Sequence, residues 1–357
     1  MDFIKEVISW YSENKRDLPW RNTRDPYVIW LSEIILQQTR VDQGLPYFLR
    51  FLERFPTIAD FASAPEDEVL RLWQGLGYYS RARNMHKTAQ IVIQEYAGRF
   101  PSTYNELIRL KGIGDYTAAA IASFASNEPK AVVDGNVFRL LSRYFGIEEV
   151  INSNKGKKTF TTLANTLIDK ACPGLSNQAI MEFGALQCKP QSPDCSACPL
   201  HLTCFAYSHQ KIDQLPVKLK RTATRNRYFN YVVACHESRL LFNKRTGNDI
   251  WQNLHEFPLF ETAVPISSLE LIGDKDFTDL FGHHVEIIAE YGPFHHALSH
   301  QRLHACFIVI KNYTHGFQAK KPWFYIDFGQ LDRLAQPKLI FAFLKMFPTL
   351  NSDLLII

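Results

Sequence analysis

The sequence contains no long apolar run, no internal repeat and no low-complexity tract. Because a helix that crosses a bilayer needs about 20 consecutive apolar residues, the lack of such a run excludes a membrane span. Residues 1–20 mix charged and apolar side chains, so we expect no signal peptide there. These absences predict a protein of a reduced, cytoplasmic compartment with no membrane partner.

Cysteine is scarce outside one short segment. The chain has seven cysteines, and only Cys172, Cys235 and Cys306 lie elsewhere. Without a secretory context we expect no disulfides. The segment itself contains the other four, which are Cys188, Cys195, Cys198 and Cys204.

These four clustered cysteines predict a metal site. Their spacing, C-x6-C-x2-C-x5-C, differs from the paired C-x2-C motifs of most structural zinc sites. Pro190, Pro193 and Pro199 prevent one regular helix, so the segment must wrap around what it binds. We favour a [4Fe-4S] cluster, with zinc as the alternative.

The bulk composition is that of an ordinary soluble protein. A chain of 357 residues, 46% hydrophobic and 21% charged, is long enough for two domains with separate cores. The net charge of +4 permits nucleic-acid binding without demonstrating it.

Two patterns of apolar residues divide the chain. Spacings of three and four residues predict helices as far as residue 208, and alternation predicts strands at 228–234 and 303–310. The polar, basic stretch between them contains Lys218, Arg225 and Arg227. We therefore predict a helical region over 1–208, a linker over 209–227 and an α+β domain over 228–357.

A glycine-rich turn separates two of the helical runs. Lys111, Gly112 and Gly114 belong to the segment Leu-Lys-Gly-Ile-Gly-Asp-Tyr-Thr-Ala at 110–118. The glycines alone fit a tight turn between helices or an anion site formed by backbone N–H groups. The whole segment resembles the hairpin of helix-hairpin-helix DNA glycosylases, which bind one DNA strand through its phosphates.

Two further features follow in the same order as in that group. The segment Val-Val-Asp-Gly-Asn-Val at 132–137 comes next, and then the four cysteines. Together the three features resemble the endonuclease III superfamily. The resemblance implies an all-α glycosylase with a six-helix domain over 24–130 and a cluster domain formed by 1–23 and 131–208.

Position 116 distinguishes two activities within that superfamily. Members that also cut the strand have a lysine there, whose amine attacks the sugar. This chain has Tyr116. The resemblance therefore favours a monofunctional glycosylase over the alternative of an endonuclease III-type glycosylase and lyase for oxidised pyrimidines.

Three strings resemble MutY-type adenine DNA glycosylases more narrowly. They are Ser-Glu-Ile-Ile-Leu-Gln-Gln-Thr-Arg at 32–40, Leu-Pro-Trp-Arg at 18–21 and the segment 75–84. That family removes adenine paired with 8-oxoguanine or guanine. The resemblance implies double-stranded DNA with such mispairs as the partner, a nucleoid-associated location and action as a monomer.

The resemblance also implies the catalytic residues. Glu33 would protonate the departing adenine, because burial would keep its carboxyl protonated near neutrality. Asp134 would stabilise the positive charge left on the deoxyribose, as in glycoside hydrolysis. Tyr116 and Asn136 would orient these groups. Taken alone, Glu33 could be a solvated helix carboxylate and Asp134 a helix N-cap.

Further residues are implied in DNA recognition, because the target base must leave the stack. Leu76 and Tyr78 could instead be packing residues at a helix end, an alternative of about equal weight for Leu76. The adenine pocket is predicted from Trp20, Arg21 and Glu182, and the contacts beside 8-oxoguanine from Gln38, Thr39, Leu76 and Tyr78.

The last region resembles Nudix hydrolases at 250–258, but the carboxylate box that binds magnesium in that family is absent. We expect lesion recognition there, not nucleotide hydrolysis. His296, His300 and His304 recur every four residues, as metal ligands on a helix would, yet the segment runs into a strand pattern.

We favour a different interpretation of that histidine segment. It resembles the Phe-Ser-His lesion-recognition loop of MutY-type enzymes, with Leu298 in place of phenylalanine. Ser299 and His300 would contact 8-oxoguanine. A protein that binds damaged DNA without catalysis is the remaining alternative, and the presence of both Glu33 and Asp134 argues against it.

Overall fold

The computed structural model describes residues 2–219, 224–236, 239–313 and 321–350. Packing divides the chain into two compact units. The first comprises Met1–Ser63 and Asn84–Lys220, and the second comprises Ala64–Arg83 and Arg221–Ile357. The predicted domain boundaries, which also subdivide the helical region, stay predictions.

Helices form the regular structure of the described part of the first unit, as the apolar spacing predicts. None of the described helices has the length and apolar character needed to cross a membrane. Of the elements below, α5 belongs to the second unit and α6 begins there. In chain order the helices are α1 (Phe3–Asn14), α2 (Pro26–Ile35), α3 (Val41–Arg54), α4 (Ile58–Ser63), α5 (Glu66–Leu72), α6 (Ser80–Glu95), α7 (Tyr104–Leu107), α8 (Asp115–Ser126), α9 (Gly135–Phe145), α10 (Asn154–Leu167), α11 (Pro173–Leu186) and α12 (Phe205–Ser208).

Local sequence signals set the ends of several of these helices. Asp25 caps α2, and Pro26 occupies its first turn, where a missing N–H costs nothing. Asp134 and Ser153 accept backbone N–H groups at the starts of α9 and α10. Gly146 ends α9 with a φ of 69° that favours glycine.

Two groups of buried side chains hold the first unit together. One joins α1, α9, α10 and α11 through residues that include Phe3, Val7, Leu140, Phe160 and Phe183. The other is an aromatic group on α2, α3 and α4. Its members, all almost fully buried, are Trp30, Phe48, Phe51, Phe55 and Phe61.

The second unit is built on a mixed sheet. In its described part, seven strands form the sheet, in the order β3-β2-β1-β6-β5, with β4 paired to β1 and β7 to β2. The β1–β6 pair is parallel, and the other pairs are antiparallel. The strands are β1 (Arg225–His236), β2 (Arg239–Lys244), β3 (His255–Glu256), β4 (Leu259–Thr262), β5 (Glu286–Ala297), β6 (Gln301–Lys311) and β7 (Phe324–Asp327).

Helices cover part of this sheet. The short helices α13 (Ser268–Gly273) and α14 (Lys275–Phe281) pack on β1 and β6 through a core that includes Val232, Phe277 and Ile308. Helix α15 (Lys338–Leu350) stacks Phe343 on Phe307, with ring centroids 3.9 Å apart. The predicted all-α region and C-terminal α+β region are both confirmed.

Two strand limits differ from the sequence pattern. β1 begins at Arg225, three residues before the apolar alternation starts, because its polar end pairs with β6 from Gln301 onward. β5 continues to Ala297, so the loop predicted around residues 295–304 is reduced to Leu298, Ser299 and His300. The helix with three metal-binding histidines does not form.

Candidate active site

A cavity of about 460 Å³ in the first unit collects the predicted catalytic and pocket residues. Its size is typical of sites for small ligands. The lining side chains come from α2, α8, α9, α11 and the turn Pro19–Arg21. Among them are Trp20, Arg21, Glu33, Tyr116, Asp134, Asn136 and Glu182.

Glu33 is a buried acid on this cavity wall with no cationic hydrogen-bond partner among the described residues. It lies on α2 with only 9% of its surface exposed, and Tyr116 Oη donates a hydrogen bond of 2.7 Å to its Oε2. Burial raises the pKa of Glu33 to about 7, with a further rise from Asp134, while the Tyr116 hydrogen bond and Arg21 lower it. Glu33 therefore retains its proton to a higher pH than an ordinary glutamate does.

Asp134 has a contrasting hydrogen-bond environment at the start of α9. Its Oδ1 accepts the backbone N–H groups of Asn136 and Val137 at 2.9 and 2.8 Å. Its Oδ2 accepts the side-chain amide of Asn136 at 2.7 Å. Burial raises the pKa of Asp134, while these three hydrogen bonds and Arg139 lower it. The three donors and the helix N-terminus favour the ionised carboxylate.

Glu182 on α11 is also buried, with 1% of its surface exposed, but it is paired with two arginines. Arg21 donates to both carboxylate oxygens, at 3.0 and 2.7 Å. Arg16 does the same at 2.9 and 2.6 Å. Although burial raises it, these hydrogen bonds lower the pKa of Glu182 to about 2. Sequence reasoning missed Arg16, because no local pattern distinguishes it from a surface cation.

Arg139 connects the base of the cavity to the cysteine segment. It is 8% exposed, and its Nη2 donates to Asn136 Oδ1 at 2.9 Å and to the carbonyl of Gly184 at 2.6 Å. Its Nε donates to the carbonyl of Cys188 at 2.7 Å. Arg139 was also missed, since its role depends on contacts distant in sequence.

The four clustered cysteines line a second cavity of the first unit. All are free thiols, and Arg143 Nη1 lies 3.5 Å from Cys188 Sγ. The donor set suits a cluster, because four thiols face one space and a guanidinium offsets thiolate charge. Within the described residues, no three His, Cys, Asp or Glu side chains are grouped closely enough for a single metal ion.

The glycine-rich turn joins α7 to α8. Gly112 has a φ of 78°, and an added Cβ would lie 2.8 Å from Asn84 Cβ. Gly114 precedes α8 and has open space around its Cα. Thr88 Oγ1 donates to the Lys111 carbonyl at 2.6 Å, and the Lys111 side chain is exposed. The exposed turn and the N-terminus of α8 together can receive an anion.

Gln38 and Thr39 belong to the turn after α2 and line the 460 Å³ cavity. Gln38 is exposed and has a φ of 55°, which is uncommon outside glycine. Thr39 is half-buried. The two residues therefore lie within reach of a molecule that enters this cavity.

Four of the predicted lesion-binding residues lie together in the second unit. Leu76, Tyr78, Ser299 and His300 line a cavity of about 450 Å³. Tyr78 Oη and Ser299 Oγ form a hydrogen bond. Leu76 is buried, as expected for a residue that packs at a helix end, whereas Tyr78 is 45% exposed. Tyr78 is therefore available to a ligand, and Leu76 is a wall residue.

Comparisons with known proteins agree with these features. Residues 31–166 match the HhH-GPD superfamily of base excision DNA repair proteins, and residues 230–346 match the NUDIX domain. The chain is 34% identical to the adenine DNA glycosylase of Buchnera aphidicola subsp. Schizaphis graminum over 97% of this chain and 98% of that protein.

Two further matches cover mainly the helical part. The chain is 44% identical to the adenine DNA glycosylase of Mus musculus, over 60% of this chain and 43% of that protein. A thermostable thymine-DNA glycosylase structure superposes with a TM-score of 0.54 and 32% identity, covering 58% of this chain and 95% of that one.

The two glycines of the turn offer a matched stability test. Gly112→Ala should lower the free energy of unfolding of the helical unit by about 1–2 kcal/mol, because φ is positive and Asn84 blocks the new methyl group. Gly114→Ala should change it by less than about 0.5 kcal/mol. Urea unfolding followed by helical circular dichroism measures both. Equal losses in the two variants would contradict this account.

The buried carboxylates predict opposite effects of pH on stability. The folded pKa of Glu33, about 7, exceeds its usual value of 4.5, so wild-type stability falls as pH rises between those values. Glu33→Gln removes this loss. At pH 8 the variant should be roughly 2–4 kcal/mol more stable than the parent, and at pH 4 about equal to it.

Glu182→Gln provides the comparison of opposite sign. The pKa of Glu182 is lowered to about 2, so its contribution is fully present above pH 4.5. This variant should be less stable than the parent at pH 8, because Arg16 and Arg21 lose their charged partner. Urea titrations at both pH values would test the pair of variants. A Glu33→Gln variant less stable than the parent at pH 8 would show that the fold favours the ionised form of Glu33, which contradicts a raised pKa.

Proposed function

Because the chain belongs to the adenine DNA glycosylase family, the hydrolases of N-glycosyl bonds in base-excision repair, we propose that it removes adenine paired with 8-oxoguanine or guanine. The observation that carries the proposal is the pair Glu33 and Asp134 on one cavity wall. One carboxyl is desolvated, and the other accepts three N–H donors. An acid and an anion are what cleavage of this bond requires.

Glu33 acts as the general acid. The adenine anion is a poor leaving group, so a ring nitrogen must receive a proton before the bond breaks. In this scheme N7 receives it. With a pKa of about 7, a substantial fraction of Glu33 is protonated at neutral pH and able to donate. Tyr116 Oη donates a hydrogen bond to Glu33 Oε2 and so orients the carboxyl group.

Asp134 stabilises the positive charge that develops on the deoxyribose. Its carboxylate oxygens are fixed by Asn136 and the first turn of α9, so no reorganisation is needed when charge develops. Water then completes hydrolysis to an abasic site. Asn136 is a positioning residue in this scheme.

Trp20, Arg21 and Glu182 form the pocket for the extruded base. The indole of Trp20 packs edge-on against Phe48, with centroids 5.1 Å apart, which fixes one wall. The Arg16–Arg21–Glu182 group is internally neutralised except for one positive charge. Such a wall presents hydrogen-bond donors and acceptors without repelling a neutral purine.

DNA and lesion contacts come from surfaces of both units. The turn at Lys111, Gly112 and Gly114 binds backbone phosphates, and Gln38 and Thr39 provide contacts beside 8-oxoguanine. In the second unit, Tyr78, Ser299 and His300 contact 8-oxoguanine, with Leu76 packed behind them. Aromatic stacking by Tyr78 is worth about 1–3 kcal/mol and offsets part of the cost of unstacking.

Cys188, Cys195, Cys198 and Cys204 hold a [4Fe-4S] cluster. When bound, the cluster would cross-link the 188–204 segment. Hydrolysis of the N-glycosyl bond needs no electron transfer from it. The exposed side chain of Lys189 places positive charge at this segment, which suits contact with DNA. We further propose that the protein acts as a monomer in a bacterial-type cytoplasm, associated with the nucleoid.

Single-turnover release of adenine from an A:8-oxoguanine duplex tests the chemistry. Glu33→Gln should slow release about 100- to 10,000-fold, because the amide has no proton to donate. Asp134→Asn should also abolish release, since the cation loses its counter-charge. Both variants should bind the duplex as tightly as the parent, measured by fluorescence anisotropy.

Glu149→Gln is the matched control, because Glu149 is a surface carboxylate paired with Lys155. Its rate should equal that of the parent. Borohydride should trap the protein poorly on abasic DNA, since position 116 provides no amine. Rates within a few-fold of the parent for either carboxylate variant would remove that residue from the mechanism, and efficient trapping would favour a lyase.

The lesion contacts are tested by selectivity. Ser299→Ala and His300→Ala should each reduce the ratio of excision rates on A:8-oxoguanine and A:G about 3- to 10-fold, the worth of one hydrogen bond. Ser267→Ala removes a hydroxyl that only caps α13 and should leave the ratio unchanged. An unchanged ratio in the Ser299 and His300 variants would exclude them from lesion recognition.

A further inference from the structure

Two histidines that no step of the proposed reaction uses meet across the β5–β6 hairpin. The strand register pairs His295 with His304, and their Nδ1 atoms lie 3.1 Å apart. His296 pairs with Leu303 and so faces the other side of the sheet. The spacing of four residues in the sequence thus suggested the wrong partners, and the hairpin supplies a closer pair.

The surroundings of His304 fix which of its nitrogens has a free lone pair. Its Nε2 lies 3.2 Å from Asn226 Oδ1, an oxygen that only accepts hydrogen bonds. Nε2 therefore holds the proton, and Nδ1 presents its lone pair toward His295. Tyr228 stacks on the His304 ring with centroids 4.9 Å apart, which limits rotation of the ring.

We propose that His295 and His304 form a two-ligand site for a divalent transition-metal ion such as Ni²⁺, Cu²⁺ or Zn²⁺. With metal–nitrogen bonds of about 2.0–2.1 Å, an Nδ1–Nδ1 distance of 3.1 Å gives a nitrogen–metal–nitrogen angle of about 100°. That angle suits both tetragonal and tetrahedral coordination. Binding requires the His295 proton to move from Nδ1 to Nε2, which leaves the net charge of the ring unchanged.

The Asn226 contact strengthens this assignment. Histidines that bind metals usually donate their second ring N–H to an oxygen, which fixes the tautomer and orients the ring. His304 already makes that contact before any metal binds. His295 is exposed and His304 half-buried, so solvent reaches the pair and water completes the coordination.

The structure also sets the class of ion and the strength of binding. Two neutral imidazoles favour Cu²⁺ over Ni²⁺ and Zn²⁺, and all three over Mg²⁺ or Ca²⁺. Arg302 lies two residues from His304 on the same exposed face, where its charge opposes a cation. We therefore expect a modest affinity, with at most one ion bound by this pair.

The position of the pair gives the site a structural consequence. The pair lies on β5 and β6 near the loop that joins them, which consists of Leu298, Ser299 and His300. A 2.8 Å hydrogen bond from Leu298 N–H to the Gln301 carbonyl closes this loop. A metal bridging His295 and His304 would cross-link the hairpin at the base of this loop. Hydrogen exchange of the Leu298 amide should then slow.

Titration of the full-length, tag-free protein with Ni²⁺, followed by isothermal calorimetry, tests the site. The variants His295→Asn and His304→Asn should each lose the Ni²⁺ ion that binds to this pair. Asn226→Leu should weaken it about tenfold, because the tautomer is no longer fixed. His284→Asn removes an exposed histidine of the same unit outside the pair and should leave binding unchanged.

Hydrogen exchange provides the second readout. Ni²⁺ should slow exchange at Leu298 in the parent and in His284→Asn, but not in His304→Asn. Binding at the four cysteines would persist in both ligand variants and would not alter Leu298, so it is distinguishable. Parent-like Ni²⁺ affinity in His295→Asn and His304→Asn would overturn the proposal, as would unaltered exchange at Leu298 on saturation of the parent.

Discussion

Burial of the acidic side chains along one cavity is the constraint on which the site depends. Three carboxylic acids line that cavity, and their surroundings give them different charges. Glu33 meets one hydroxyl donor, and burial raises its pKa to about 7. Glu182 meets two guanidinium groups that lower its pKa to about 2. Identical chemical groups thus become an acid and a permanent anion through environment alone.

The N-terminus of α9 connects the cavity wall to other parts of the first unit. Asp134 can remain an anion at the cavity wall because it caps the helix, and Asn136 holds its second oxygen. Gly184 allows α11 to approach, since a Cβ there would lie 2.7 Å from the Asn136 carbonyl. Arg139 then joins Asn136 to the Cys188 carbonyl. The cysteine segment is therefore attached directly to the helix that positions Asp134.

Local patterns predicted the features that local sequence determines. The helices of the first unit follow their apolar spacing, and the N-cap role of Asp134 follows from its place before a helix. The ends of β1 and β5 were predicted less well, because Arg225 and His295 owe their strand conformation to pairing with β6. The β-propensity of a single residue does not indicate which strand it will pair with.

The residues that sequence analysis missed share one physical property. Arg16 and Arg139 are long cations whose roles depend on acceptors more than 40 positions away in sequence, Glu182 for one and the carbonyls of Gly184 and Cys188 for the other. An arginine that pairs with a distant acceptor looks in sequence like an arginine on the surface. Only the packed structure separates the two cases, because burial makes the pairing obligatory.

Buried charge also fixes side chains of the second unit near its 450 Å³ cavity. Arg227 is 6% exposed and donates to Asp249 and Glu261, while Arg245 donates to Asp249 and Glu256. Each of the three carboxylates thereby pairs with at least one of the two arginines, and Asp249 pairs with both. Such networks contribute little net stability, since desolvation offsets attraction, but they tolerate few alternative geometries. The segment after Asp249, which forms one wall of that cavity, is therefore held in place by ion pairs as much as by apolar packing.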